Sequence, residues 1–353
     1  MSRQQFLLLL FISKLFCGLI AWYVIGSITK LGDTQDYLSG FYLNRNNPLS
    51  TAYLMSLTGS IFSKIVGYNF LANLPLLLLS WLSLVIVTKD LCMKKVHWLF
   101  LFLLFLSPSY QIWTSIHSKE AIINFFFSLY LMAIIKSWLG KRISKKVLLL
   151  AFTGFFLVIF FKPLYAPSLL WLAFFTAFIA KRKKIVMSSM ITTLFAIVCS
   201  ILLVLLAYKL LDPVIKVFHL HFSADGDFSR PSHKWDSVSD MLYKIPAGMI
   251  VAFVGPKLSE ALKVKMMLPF FIEGILTLSI ILILLFNSTI KNSRIFFLRF
   301  FMLFGFITLL FIGHYPQGYF NPGSAIRYKE AFYPAILVVL FYFSFDNRLK
   351  IKS

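Results

Sequence analysis

Apolar runs of about 18 residues or more, broken by short polar or basic connections, repeat along most of this chain. The pattern predicts ten membrane-spanning helices. They cover residues 6–28, 70–87, 96–109, 121–138, 147–161, 164–180, 185–206, 268–286, 295–312 and 331–345. Some of these are shorter than the roughly 17 residues that a full crossing needs. The pairs meeting at Pro108 and at Lys162-Pro163 therefore read as tight helical hairpins. The stretch Thr51 to Val66 is only moderately apolar and reads as a helix lying along the membrane surface; as an extra span it would invert everything after it. The expected fold class is all-α integral membrane: one polytopic domain over residues 1–353.

Composition agrees. Of 353 residues 59% are hydrophobic and only 14% charged, with mean hydropathy +0.83, against about a quarter charged in soluble domains. A net charge of +22 would by itself suggest nucleic acid. Its distribution removes that reading. With both termini cytoplasmic, the inner connections carry 19 Lys and Arg against two acids, Asp90 and Asp346. The outer side carries 15 basic and 11 acidic residues, and Lys14 falls inside the first span. This is the bias of the positive-inside rule. The inner connections are short, so no cytosolic catalytic domain is expected. Arg3 precedes a first apolar segment without a small-residue cleavage site, which reads as an uncleaved helix. Three cysteines, Cys17, Cys92 and Cys199, give no disulfide framework.

The outer side carries five of the six histidines and holds two sizeable loops, residues 29–69 and 208–267, with most of the acids. Chemistry is therefore expected there. In Gly32-Asp33-Thr34-Gln35-Asp36-Tyr37 a helical turn would put Asp33 and Tyr37 on one face. Asp33 could act as a general base or simply cap a helix. Lys119 and Glu120 begin a helix re-entering the membrane. Glu120 suits the helix dipole, whereas Lys119 needs a compensating anion there. Lys162, a lone charge between apolar arms, either snorkels to the headgroups or serves a site. Lys14 has the same two readings, or marks a span that begins late.

In the second loop His219 and His221 with nearby carboxylates could be drawn as a metal site, but no further ligand spacing supports it. Asp225-Gly226-Asp227 resembles the acidic motif of nucleotide-sugar enzymes, whose substrates are cytoplasmic. Arg230, Lys234 and Trp235 suit sugar and phosphate contacts, though a solvated loop accounts for most of these residues as well. Residues 245–273 read as an amphipathic lead into the eighth span, with Glu273 just inside it and Arg327 or Lys162 as its candidate partner. From His314 to Lys329, Pro316, Gly318, Pro322 and Gly323 predict a loop built of turns. Arg327 and Lys329 lie in it, against the charge bias, and Arg suits bidentate phosphate binding.

Taken in order, these short motifs resemble the bacterial polytopic polysaccharide (O-antigen) polymerases and the related membrane glycosyltransferases of the C-type fold. The residues concerned are Gly32-Asp33 with Tyr37, Pro108-Ser109 with Lys119-Glu120, Lys162-Pro163, Pro256 with Glu273, and Asn321, Gly323 and Arg327-Tyr328. The resemblance implies a polyprenyl-diphosphate-linked oligosaccharide as substrate, at the periplasmic face of the inner membrane. It implies catalytic roles for Asp33, with Asp36 or Glu120 as alternatives, and for Arg327. Lys119, Lys162, Arg327 and Lys329 would hold diphosphate, and Tyr37, Arg230, Trp235 and Tyr328 would contact glycan. Neither a cofactor nor a metal is expected. The partners implied are the lipid-linked substrate, membrane lipid and a chain-length regulator. A transferase moving single sugars from a polyprenyl phosphate is the nearest alternative, and a lipid-linked glycan transporter the more distant one.

Overall fold

The computed structural model describes residues 1–44, 47–181, 215–216, 230, 233–290, 296–346 and 348–349. Among them every regular element is helical. Six segments are long and apolar enough to cross a membrane: Arg3–Ile28, Phe70–Val87, Lys119–Trp138, Val238–Lys263, Lys265–Thr289 and Phe297–Phe320. A bent pair, Pro322–Ala331 with Tyr333–Phe345, makes a seventh if counted as one span. The chain is thus a multi-pass helical membrane protein. Of the ten expected spans, Lys95–Phe105 and Pro163–Ala177 are shorter apolar helices, and residues 185–206 lie outside the described residues. Val238–Lys263, assigned above to an outer loop, has the length and hydropathy of a span.

The chain divides into two compact units: Met1–Pro163 with Glu330–Val339, and Leu164–Lys329 with Leu340–Ser353. The first unit begins with α1 (Arg3–Ile20), which Ser2 starts by accepting from Gln5 N at 3.2 Å. A π-helical turn, Ala21–Ile25, carries it on to Ile28. Then come α2 (Thr34–Ser39), α3 (Thr51–Val66), α4 (Leu74–Val87), α5 (Lys95–Phe105), α6 (Pro108–Trp113), α7 (Lys119–Trp138) and α8 (Lys145–Phe161). Ser50, Ser118 and Ser144 cap α3, α7 and α8 through their side chains. Pro108 does not join two hairpin arms. It starts the separate helix α6, because a proline fits the first helical turn, where no amide partner is lost.

The ends of this unit differ in chemistry. At one end Arg3 Nη2 donates to Val85 O at 2.8 Å, the Met1 amino group reaches Lys95 O at 3.3 Å, and Lys141 pairs with Asp90 at 2.7 Å. These contacts gather the start of α1, the ends of α4 and α7, and the start of α5, the connections richest in Lys and Arg. At the other end lie α2, α3 and the start of α7, packed through Tyr37 and His117. Helix α3 does not qualify as a span. It buries Met55, Ser56 and Gly59 and exposes Leu57, Ile61 and Ile65 along a single ridge, the two-sided character of a surface helix.

The second unit contains α9 (Ala166–Lys181), α10 (Val238–Val254), α11 (Leu258–Lys263), α12 (Leu268–Ile290), α13 (Phe296–Phe320) and α14 (Pro322–Tyr328). The last helix, α15 (Tyr333–Phe345), is shared by both units. The turn-built loop expected from His314 to Lys329 is mostly helical. Helix α13 runs through Pro316 and Gly318 to Phe320. Gly318 is there for packing: a Cβ at this position would stand 2.7 Å from Ala252 Cβ and 2.9 Å from Ala252 O on α10. Membrane helices come together through such small residues. Asn321 then caps α14 by accepting from Ser324 N at 3.0 Å. Gly318→Val should force α10 and α13 apart and lower stability by about 1–3 kcal/mol. Thermal unfolding of the purified protein in detergent measures it, and an unshifted midpoint would show that the helices tolerate the added atoms.

Candidate functional site

The first unit assembles its outer-end chemistry around His117. The His117 amide donates to Asn73 Oδ1 at 2.7 Å, and its carbonyl accepts from Thr34 Oγ1 at 3.2 Å. Its Nε2 lies 2.9 Å from Met55 O, so that nitrogen carries the proton, since a carbonyl can only accept. One residue thereby ties the α6–α7 corner to α2, to α3 and to the turn before α4. Burial holds its imidazole down at about 4.

The corner carries Lys119, whose ammonium lies 5.8 Å from the centre of the Tyr37 ring. Tyr37 donates its hydroxyl to Asp33 Oδ2 at 3.2 Å, the one-face arrangement expected from the spacing. Asp33 stands at the N-cap position of α2 but makes no side-chain cap bond, so its carboxylate is not consumed in starting the helix. Gly59 of α3 lets Tyr37 sit this deep, since a Cβ there would come 2.6 Å from Tyr37 O. Carboxylate, phenol and ammonium thus stand together at the end away from Arg3 and Lys141.

Other expected residues are placed differently. Asp36 pairs with Lys30 at 2.8 Å. Glu120 is buried in the first turn of α7, and the Tyr37 ring is buried too. These two contribute from inside the fold and present no face for glycan or acceptor. Lys162 is buried at the end of α8, where its amide donates to Val158 O at 2.8 Å.

In the second unit Arg327 lies half-buried on α14, its guanidinium 4.4 Å from the Tyr328 ring and bonded to the Tyr328 hydroxyl. Lys329 is buried with Glu273 at 3.9 Å. Glu273 thus has Lys329 beside it, a partner not among the expected Arg327 and Lys162, and that ammonium is enclosed.

Arg230 and Trp235 are not glycan contacts in this arrangement. Arg230 makes a bidentate pair with Glu260, both bonds 2.6 Å, and donates to the carbonyls of Gly255 (2.8 Å), Gly318 (2.9 Å) and Tyr319 (3.2 Å). All five guanidinium hydrogens are thereby used. Trp235 is 1% exposed, donates to the Tyr315 hydroxyl at 2.7 Å and lies parallel to the Tyr319 ring. His233 stacks on Tyr319 and accepts from Lys257 at 2.6 Å. Burial, with Lys257 and Arg230 beside it, holds its imidazole below the usual range. His219, His221 and the Asp225-Gly226-Asp227 motif lie outside the described residues. Among the described residues no group of three metal-ligating side chains forms.

A second polar group lies inside the first unit, and the sequence reading flagged Lys14 in it without foreseeing its partners. Lys14 is three turns into α1 and fully buried, so the span does not begin late. Its ammonium bonds the Thr114 hydroxyl, lies 3.5 Å from Thr114 O, and faces the Tyr110 ring at 4.2 Å. Glu330, also buried, accepts from Ser109 Oγ at 2.6 Å. Asn124 Nδ2 donates to Glu330 O at 3.0 Å. A usable signal was present: Pro334 follows Glu330 by four residues, and a proline there takes away the amide that would otherwise bond that carbonyl.

The fold and these polar groups define a helical membrane protein with a small ionic group at one end. No family model, curated protein or solved structure matches the chain.

Two consequences can be measured. His117 is neutral in the fold down to about 4, against 6.5 when exposed. The unfolded state therefore binds the extra proton first. The stabilisation is complete above about pH 6.5 and is lost as pH falls towards 4, on the order of 3 kcal/mol in all. Thermal midpoints between pH 4 and 7 should show this slope, and His117→Gln should flatten it. Arg230→Met should cost about 3 kcal/mol by stranding the Glu260 carboxylate and three carbonyls. Arg230→Lys should not restore it, because an ammonium lacks the fork geometry. An Arg230→Met protein as stable as wild type would return the residue to substrate binding.

Proposed function

We propose that the chain is a glycosyltransferase of the polysaccharide-polymerase kind. It would join polyprenyl-diphosphate-linked oligosaccharide units at the outer face of the bacterial inner membrane, with both termini cytoplasmic. The observation that supports this reading is the grouping of Asp33, the Tyr37 hydroxyl and Lys119 at the end of the first unit opposite its basic connections. In this reading Asp33 removes the proton from the acceptor hydroxyl, with Tyr37 holding the carboxylate in place. Lys119 stabilises the departing diphosphate. The sugar-to-phosphate bond breaks as the new glycosidic bond forms, and the diphosphate leaves on its lipid. Arg327, in the second unit, is the other half-buried cation to which the resemblance gives a diphosphate role, and its test stands by itself.

The transporter reading gains from one specific observation. Charges inside the spans are its expected mark, and Lys14, Glu273 and Lys329 are charges of that kind, all buried. Proteoliposomes given lipid-linked oligosaccharide separate the two readings, since a polymerase lengthens the glycan whereas a transporter only changes the leaflet it occupies.

Asp33→Asn and Lys119→Ala should each lower glycan-joining activity about 10²–10³-fold, the usual effect of removing a single stabilising group. In a cell that depends on this protein, these variants and Arg327→Ala should leave lipopolysaccharide with single repeats. A normal ladder of chain lengths from all three, each present in the membrane at wild-type level, would overturn the reading.

A further inference from the structure

A water-sized crevice lies within the first unit, between α4, α7 and the start of α15, and its walls include Ser83, Asn124, Ser128 and Pro334. Its polar chemistry is one-sided. Pro334 has no amide hydrogen, so Glu330 O takes its bond from Asn124 Nδ2 instead, at 3.0 Å. That bond fixes the orientation of the amide, because the reverse placement would set two oxygens against each other. Asn124 is 3% exposed, and its Oδ1 accepts no bond from the protein. Ser83 donates its hydroxyl hydrogen to Ser80 O at 2.6 Å, and Ser128 donates to Phe125 O at 2.6 Å. The three side chains therefore bring oxygen lone pairs to the crevice, while their hydrogens are spent on backbone carbonyls.

The other walls are apolar, including Leu84, Phe127 and Leu131, so the three acceptors are the polar groups an occupant meets, and they favour a ligand with positive charge on every side. One water has two hydrogens to offer three acceptors, whereas a cation serves all three. A divalent ion is a poor fit: magnesium keeps several waters, calcium takes six to eight oxygens including carboxylates, and no carboxylate lines the crevice. We propose that Asn124, Ser83 and Ser128 form a binding site for one small monovalent cation of the sodium type. The site uses no residue assigned to glycan chemistry, so it stands or falls separately from that reading.

The test is a series of thermal midpoints of the purified full-length protein at constant ionic strength, with sodium, potassium or choline as the chloride. Sodium should raise the midpoint saturably, and choline should not, as for any ligand held only by the folded state. Ser83→Ala and Ser128→Ala each remove one oxygen while keeping the Asn124–Glu330 bond. Each should raise the sodium concentration of half-effect about tenfold, the change produced by losing one modest contact, and leave the midpoint in choline unchanged. If either variant fails to fold, the other carries the comparison. Equal midpoints in sodium and choline would overturn the proposal and leave water as the occupant. So would serine variants that keep the wild-type sodium response.

Discussion

The constraint that most of this structure answers to is the lack of water around its polar groups. A charge or an open carbonyl inside an apolar bundle must find its partner within the protein. Lys14 shows how this is met. Three turns into α1, its ammonium is taken up by the Thr114 hydroxyl and carbonyl and by the face of Tyr110. Those groups belong to the end of α6 and the corner after it. The first helix is thereby fastened to the corner that leads to His117 and Lys119. A residue that looks misplaced in a hydropathy profile becomes a brace for the most polar part of the unit.

The second unit meets the same constraint with a different cation. Arg230 precedes α10 in sequence, and its guanidinium reaches carbonyls just after α10 and near the end of α13, along with the Glu260 carboxylate on α11. A planar fork with five donors can serve several helix ends at once, which an ammonium cannot. Trp235, beside it, fills the space among Tyr315, Tyr319 and Phe320. Residues that have the composition of a sugar-binding patch are here the internal fastening of the unit. Their types suit both roles, and burial decides between them.

This also explains what could and could not be read from the sequence. Long apolar periods are local properties of the chain, and among the described residues helices appear over expected spans such as Phe70–Val87 and Tyr333–Phe345. The pairing of Asp33 with Tyr37 was legible for the same reason, as a four-residue spacing on a short helix. The continuous helix through Pro316 and Gly318 was not, because its glycine answers to Ala252, sixty-six positions away in the chain. Glu273 with Lys329, and Glu330 with Ser109, are likewise pairings over long separations. A sequence shows that a charge lies in an apolar setting, but which charge answers it is settled by packing.

Partner use also separates the cations of the chain. Lys14 and Arg230 are enclosed and donate to protein groups, and Lys329 is enclosed beside Glu273. Lys119 and Arg327 differ in kind: each is half-buried and rests against a tyrosine ring. An aromatic face attracts a cation through its ring electrons, and Arg327 also donates to the Tyr328 hydroxyl. Asp33 stands in a similar relation to Tyr37, bonded to one hydroxyl and left without the capping bonds that its place on α2 would allow. The fold thus sets Asp33, Lys119 and Arg327 beside tyrosines at half-buried positions, and it holds its shape through the buried ion pairs.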